Sequence, residues 1–92
     1  MIKSFRHKGL ERFFTSGRLK GIQPKHAQKL QAQLGALQIA ESPGDMDIPG
    51  WKLHILKGEL KDFRSVSLSG NWRLTFRFVD KDTELIDYLD YH

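Results

Sequence analysis

The chain has 92 residues, a formal net charge of +4, a pI near 9.6 and no cysteine. That length suits one domain, residues 1–92, with a modest core, and the charge favours polyanionic partners or an acidic protein. A disulfide scaffold, a thiolate nucleophile and a Cys-based zinc site are excluded. No apolar run nears the ~20 residues of a membrane span, and Met1-Ile2-Lys3-Ser4-Phe5 has no signal-peptide core. A cytoplasmic protein with no membrane partner is expected.

Met1 to Phe5 alternates and suits an edge strand. From His7 to Thr15, Leu10, Phe13 and Phe14 recur at spacings of three and four, the apolar face of a short helix with Lys8, Glu11 and Arg12 in solvent. Residues 16–23 hold two glycines and two cations without a period, which reads as a loop. Pro24 suits the first turn of a second helix, running to Ala40. Ala27, Leu30, Leu34 and Leu37 form its apolar stripe, with Lys25, Gln28, Lys29, Gln31, Gln33 and Gln38 mostly elsewhere. Glu41-Ser42-Pro43-Gly44-Asp45 stops it.

The second half alternates with a period of two. Trp51, Leu53 and Ile55 are interleaved with Lys52 and His54, and Lys57-Gly58-Glu59 turns the chain. Val66 and Leu68 alternate with Ser65, Ser67 and Ser69, and Gly70-Asn71 is a turn. Trp72, Leu74, Phe76 and Phe78 stand opposite Arg73, Thr75 and Arg77; Asp80-Lys81-Asp82 turns again, and Thr83 to Asp90 is the last strand. Helices followed by antiparallel strands predict an α+β fold, with two N-terminal helices packed on a mainly antiparallel β-sheet.

If the apolar faces lie under the helices, Lys52, His54, Ser65, Ser67, Asn71, Arg73, Thr75 and Arg77 share the opposite face, which a solvated antiparallel sheet also explains. Alternation in the last strand allows Asp90 and His92 to join them, with Tyr91 on the other side. Cations, hydroxyls and imidazoles on one surface suit a phosphodiester. RNA is cleaved without metal when its 2′-hydroxyl attacks the adjacent phosphorus, given a base, charge stabilisation and an acid for the leaving 5′-oxygen. Arg73 and Lys57 supply charge; His54 and His92 are proton carriers, an unperturbed imidazole titrating near ~6.5; Tyr91 can stack on a base. Lys52, Asn71 and Arg77 are RNA-binding candidates.

His7, His26, His54 and His92 show no paired metal spacing. Ser65, Ser67 and Ser69 lack G-x-S-x-G, and no phosphate-cradling glycine loop is present. His7 and His26 are expected at the surface, and neither cofactor nor metal is expected.

Trp51-Lys52-Leu53-His54-Ile55-Leu56-Lys57-Gly58, Gly70-Asn71-Trp72-Arg73-Leu74-Thr75-Phe76, the terminal Asp90-Tyr91-His92 and the opening Met1 to Leu10 together resemble a HigB-type toxin of the RelE/ParE superfamily, over the whole chain. The resemblance implies a RelE-like microbial RNase fold. It also implies the activity of a type II toxin: a ribosome-dependent messenger-RNA endonuclease (an mRNA interferase) that cuts in the A site and inhibits translation and growth. Its implied partners are the ribosome, mRNA and a HigA-like helix-turn-helix antitoxin, through which operator DNA is reached. On the same resemblance His54, Lys57, Arg73, Asp90, Tyr91 and His92 fall on positions tied to activity. Arg64 and Leu89 depart from some relatives. Within the same fold, a ParE-like DNA gyrase inhibitor and a non-catalytic RNA-binding module are the alternatives. Antitoxin contact is expected at basic surfaces such as the Arg18–Lys20 loop or Lys25 and Lys29.

Overall fold

In the computed structural model, which describes residues 1–90, the helices come first and a four-stranded antiparallel sheet follows. Helix α1 spans Lys8–Ser16 and α2 spans Ala27–Ile39, the latter entered through a 3-10 turn at Pro24–His26. Strands β1 (His54–Ile55), β2 (Arg64–Ser67), β3 (Trp72–Val79) and β4 (Asp82–Asp90) lie side by side in chain order.

Local chemistry sets the helix ends. His7 caps α1, its Nδ1 accepting the Leu10 N–H at 2.9 Å and satisfying a donor that has no partner within the helix. Gly17 closes α1 at φ 77°, where a Cβ would be strained, and donates its N–H to the Phe13 carbonyl at 2.9 Å. Pro24 opens the second helical segment as expected.

The core lies between the helices and one sheet face. Leu10, Leu30, Leu34 and Leu37 meet Val66, Leu74, Phe76 and Ile86, all essentially without solvent contact. Burying a side chain of this size is worth about 1.5–3 kcal/mol relative to leaving it exposed. Gln33 is also fully buried rather than on the solvent side of α2; its Nε2 donates to the Ser67 carbonyl at 2.9 Å and ties α2 to β2.

Four local expectations are corrected. Residues 1–5 form no regular strand; they run parallel to β4 through isolated bridges, Ile2 to Thr83 and Phe5 to Ile86, with Lys3 N–H on the Thr83 carbonyl at 2.7 Å. The strand expected from Trp51 is reduced to His54–Ile55, because Gly50 (φ 88°) and Lys52 (φ 52°) break extended backbone, and Ile55 is exposed on the edge. The sheet face away from the helices is not simply wet: Ser65 and Thr75 are only 1% and 2% exposed. Leu56 and Phe63, which follow on the same face by alternation, are buried as well. His26 is buried, not a surface residue, and His7 is half-buried in its capping role.

Strand β4 also carries a bulge. Arg77 pairs with Glu84 but Thr75 pairs with Asp87, so Phe76 faces both Leu85 and Ile86. Leu85 takes φ 55°, the left-handed conformation that lets an extra residue enter a strand. Before the bulge Thr83 faces the core; after it Ile86 and Tyr88 do.

Candidate active site

Residues directly paired across antiparallel strands share a face, so the register resolves the surface opposite the helices into rows. His54, Ser65, Thr75 and Asp87 form one. Ser67, Arg73 and Leu89 form the next, two residues along the strands. On the other side of the His54 row stand Leu56 and Phe63, joined by a backbone hydrogen bond at 3.0 Å, with Arg77 and Glu84 beyond.

That last row is closed. The Arg77 guanidinium lies 5.6 Å from the Phe63 ring centroid, with Arg6 5.0 Å from the same ring, and Arg77 Nη2 pairs with Glu84 at 3.1 Å. Cation–π stacking and an ion pair hold Arg77 in the protein, so the cation expected to meet RNA already has partners here.

The open part holds His54 and Arg73. His54 is exposed on the edge strand. Arg73 is half-buried, and its Nη1 donates to the Ser67 hydroxyl, which fixes the guanidinium over the small-residue floor. Strand spacings put the two Cα atoms on the order of 12 Å apart, a span that their side chains can close on one phosphodiester. Lys52 is exposed before β1 and Asn71 is exposed in the β2–β3 turn; neither lies in a strand, so alternation does not assign them to this face. Lys57 is exposed at the cap of a 3-10 turn, Gly58–Leu60, beyond the Leu56–Phe63 row and at the opposite end from Arg73.

The bulge alters the acidic side of the site. Asp90 pairs with Trp72 and Leu89 with Arg73, so Asp90 is not on the Arg73 face as alternation suggested. The β4 carboxylate on that face nearest to Arg73 belongs to Asp87, diagonal to it, with Glu84 farther along opposite Arg77. Its Oδ1 accepts the Tyr88 N–H at 2.9 Å. No sequence signal marked Asp87, because its face depends on the bulge. Tyr91 and His92, the remaining expected site residues, lie outside the described residues. Among the described residues no three His, Cys, Asp or Glu side chains group as metal ligands, and no helix is long and apolar enough to cross a membrane.

Behind the sheet, His26 is enclosed by Tyr88, Ser69 and Trp72. Burial and the neighbouring Lys25 and Lys29 charges lower its pKa, favouring the neutral ring, while burial raises that of Tyr88 and keeps the phenol protonated.

Residues 3–92 match a family described as RelE-like toxin of type II toxin-antitoxin system HigB. The chain belongs to the HigB-like toxin family. It is 37% identical over 92 residues to a Proteus vulgaris protein named Endoribonuclease HigB, covering all of both chains. It is 32% identical over 94 residues to Toxin HigB-1 of Vibrio cholerae serotype O1, covering all of this chain and 98% of the other. As a HigB-like member of a type II system it has an antitoxin as its partner class.

Proposed function

We propose that this HigB-like protein is a metal-independent endoribonuclease that enters the ribosomal A site in the cytoplasm, cuts the translated message and stops growth. The observation that carries the reading is the sheet face on which exposed His54 and Ser67-anchored Arg73 occupy adjacent rows. The name of the Proteus vulgaris relative supports it.

In the reaction, the 2′-oxygen of one nucleotide bonds to the adjacent phosphorus while the bond from phosphorus to the 5′-oxygen breaks. A base takes the 2′-hydroxyl proton and an acid returns one to the 5′-oxygen, leaving a 2′,3′-cyclic phosphate and a 5′-hydroxyl end. Arg73 meets the charge growing on the phosphoryl oxygens, its planar fork matching two of them. His54 and His92 are the proton carriers, with the base and acid roles open between them. Tyr91 stacks on a base of the message, Lys57 supplies a second positive charge, and Asp90 ends the strand that leads to His92. Lys52 and Asn71 reach the flanking RNA, whereas Arg77 is held by Phe63 and Glu84.

The antitoxin is a HigA-like helix-turn-helix protein that links the pair to operator DNA. Residues 6–25 hold Arg6, Lys8, Arg12, Arg18, Lys20 and Lys25 against Glu11 alone, which suits an acidic antitoxin segment. Lys29, by contrast, donates to the Leu68 carbonyl at 3.2 Å.

Mapping RNA ends on translating ribosomes tests the function. New 5′-hydroxyl ends inside codons, lost with Arg73→Ala, are expected, with DNA gyrase supercoiling unchanged. Intact message, or cleavage that survives Arg73→Ala, overturns the reading.

A further inference from the structure

His26 is a buried titratable group for which the proposed reaction has no use. It lies on the helix side of the sheet, 2% exposed, so it touches no substrate bound over Arg73. Yet it joins several parts of the site's framework. Its Nδ1 is 2.6 Å from the Tyr88 hydroxyl on β4, and its Nε2 is 2.6 Å from the Ser69 hydroxyl in the β2–β3 turn. Its ring lies 5.6 Å from that of Trp72 on β3, and Trp72 stacks on Tyr88 at 4.8 Å. His7, the α1 cap, meets the Tyr88 ring edge-on at 5.5 Å.

The hydrogen-bond roles are mutually consistent. The Tyr88 oxygen accepts the Gln23 N–H at 3.4 Å, so its own buried proton needs an acceptor. The unprotonated Nδ1 of His26 is that acceptor, and the ring then carries its proton on Nε2 and donates it to Ser69. One neutral imidazole thus ties the start of α2 to the strand that ends at Asp90 and to the turn that leads into Arg73.

We propose that His26, with Tyr88 and Ser69, is a positioning brace that sets the β3 and β4 ends carrying Arg73 and Asp90 for RNA cleavage. The inference rests on the endoribonuclease reading for its kinetic consequence but not for its structural one. Trp72 and Tyr88 point to the brace while Arg73 and Leu89 point to the opposite face, so a shift of either strand end is passed directly through the sheet.

The test uses Tyr88→Phe and Ser69→Ala, which each remove a single oxygen, and His26→Leu beside His26→Gln, whose amide nitrogen can still donate to Ser69. Amide hydrogen exchange on the isolated protein should quicken about tenfold at residues 72, 73, 89 and 90 in Tyr88→Phe, with α2 amides unchanged. On translating ribosomes, kcat should fall about tenfold with KM within twofold, and His26→Gln should recover part of what His26→Leu loses. Wild-type protein that fails to cleave overturns the endoribonuclease reading, while exchange still decides whether the brace exists. Unchanged exchange at the strand ends, or kcat losses that vanish on cooling in step with the folded fraction, overturns the brace.

Discussion

Arg73 faces Leu89 across the β3–β4 pair, and Asp90 faces Trp72. The guanidinium most suited to phosphate therefore has an apolar neighbour beside it and no β4 carboxylate directly opposite. Among the described residues that leaves Ser67 as its side-chain partner in the row and its charge available to a ligand. Arg73→Ala should lower kcat roughly a hundred- to a thousandfold, the usual cost of losing a donor to developing negative charge. Arg73→Lys should recover only part of it, since an ammonium lacks the fork. Single-turnover cleavage on ribosomes measures both.

Asp87 is the carboxylate of that face in the His54 row, whereas Glu84 is paired with Arg77. Beside a polyanion it repels. Asp87→Asn keeps the side-chain oxygen that accepts the Tyr88 N–H while removing the charge. KM for the programmed ribosome should fall about two- to fivefold at low salt, and the difference should shrink as salt is raised.

Acid should weaken the fold through His26. The ring meets Tyr88 from β4, Ser69 from the β2–β3 turn and Trp72 from β3, with Lys25 and Lys29 of its own segment adding positive charge. Its folded-state pKa is lowered, so between the unfolded value near ~6.5 and the lower folded value the unfolded chain binds the extra proton. This contribution to stability is complete above ~6.5 and is lost as pH falls below it. Thermal unfolding across that range should show His26→Gln with a shallower acid slope than wild type.

The glycines of the two helices should respond in opposite directions. A Cβ at Gly9 would stand 2.9 Å from the Lys20 carbonyl oxygen and 2.9 Å from His7 Cε1, so the backbone of the 16–23 segment and the α1 cap must both move. Gly9→Ala should destabilise by about 1–3 kcal/mol. A Cβ at Gly35, inside α2, meets nothing within 4 Å. Gly35→Ala should stabilise by about 0.5–1 kcal/mol by restricting the unfolded chain. Urea unfolding of the two variants gives both signs in one experiment.

Removing Leu85 should leave the protein folded. Glu84 stays opposite Arg77 and Asp87 opposite Thr75, so the deletion closes the ladder with Ile86 alone opposite Phe76 and keeps Thr83, Ile86 and Tyr88 in the core. The Leu85 N–H bond to Ser4 Oγ is lost, so a cooperative urea transition weakened by about 0.5–3 kcal/mol is expected. Leu85→Asn, which suits the left-handed conformation, should fold.

Much of the architecture was legible because its signals are periodic. The stripe from Ala27 to Leu37 marked α2, and the alternation from Trp72 to Phe78 marked β3 and assigned Arg73 to the face away from the helices. What stayed hidden depends on contacts distant in sequence. No local pattern distinguishes a histidine in the first turn of a helix from one clasped by Tyr88 and Ser69, sixty-two and forty-three positions away. Leu85 is an ordinary strand residue by composition, so the bulge that moves Asp90 off the Arg73 face is invisible to counting. Arg77 keeps the parity expected of it, but its engagement follows from Phe63, which no alternation within β3 reveals.

The parallel run of residues 1–6 along β4 has a consequence for self-association. Its ladder to Thr83 and Ile86 already occupies hydrogen-bonding groups on the outer edge of β4. On the opposite border, β1 offers only His54 and Ile55. Exposed strand edges are the usual templates for fibrils and swapped dimers. Among the described residues neither border of this sheet presents a long bare edge, so a concentrated stock of the folded protein should stay free of β-type aggregation even though Ile55 is open to solvent.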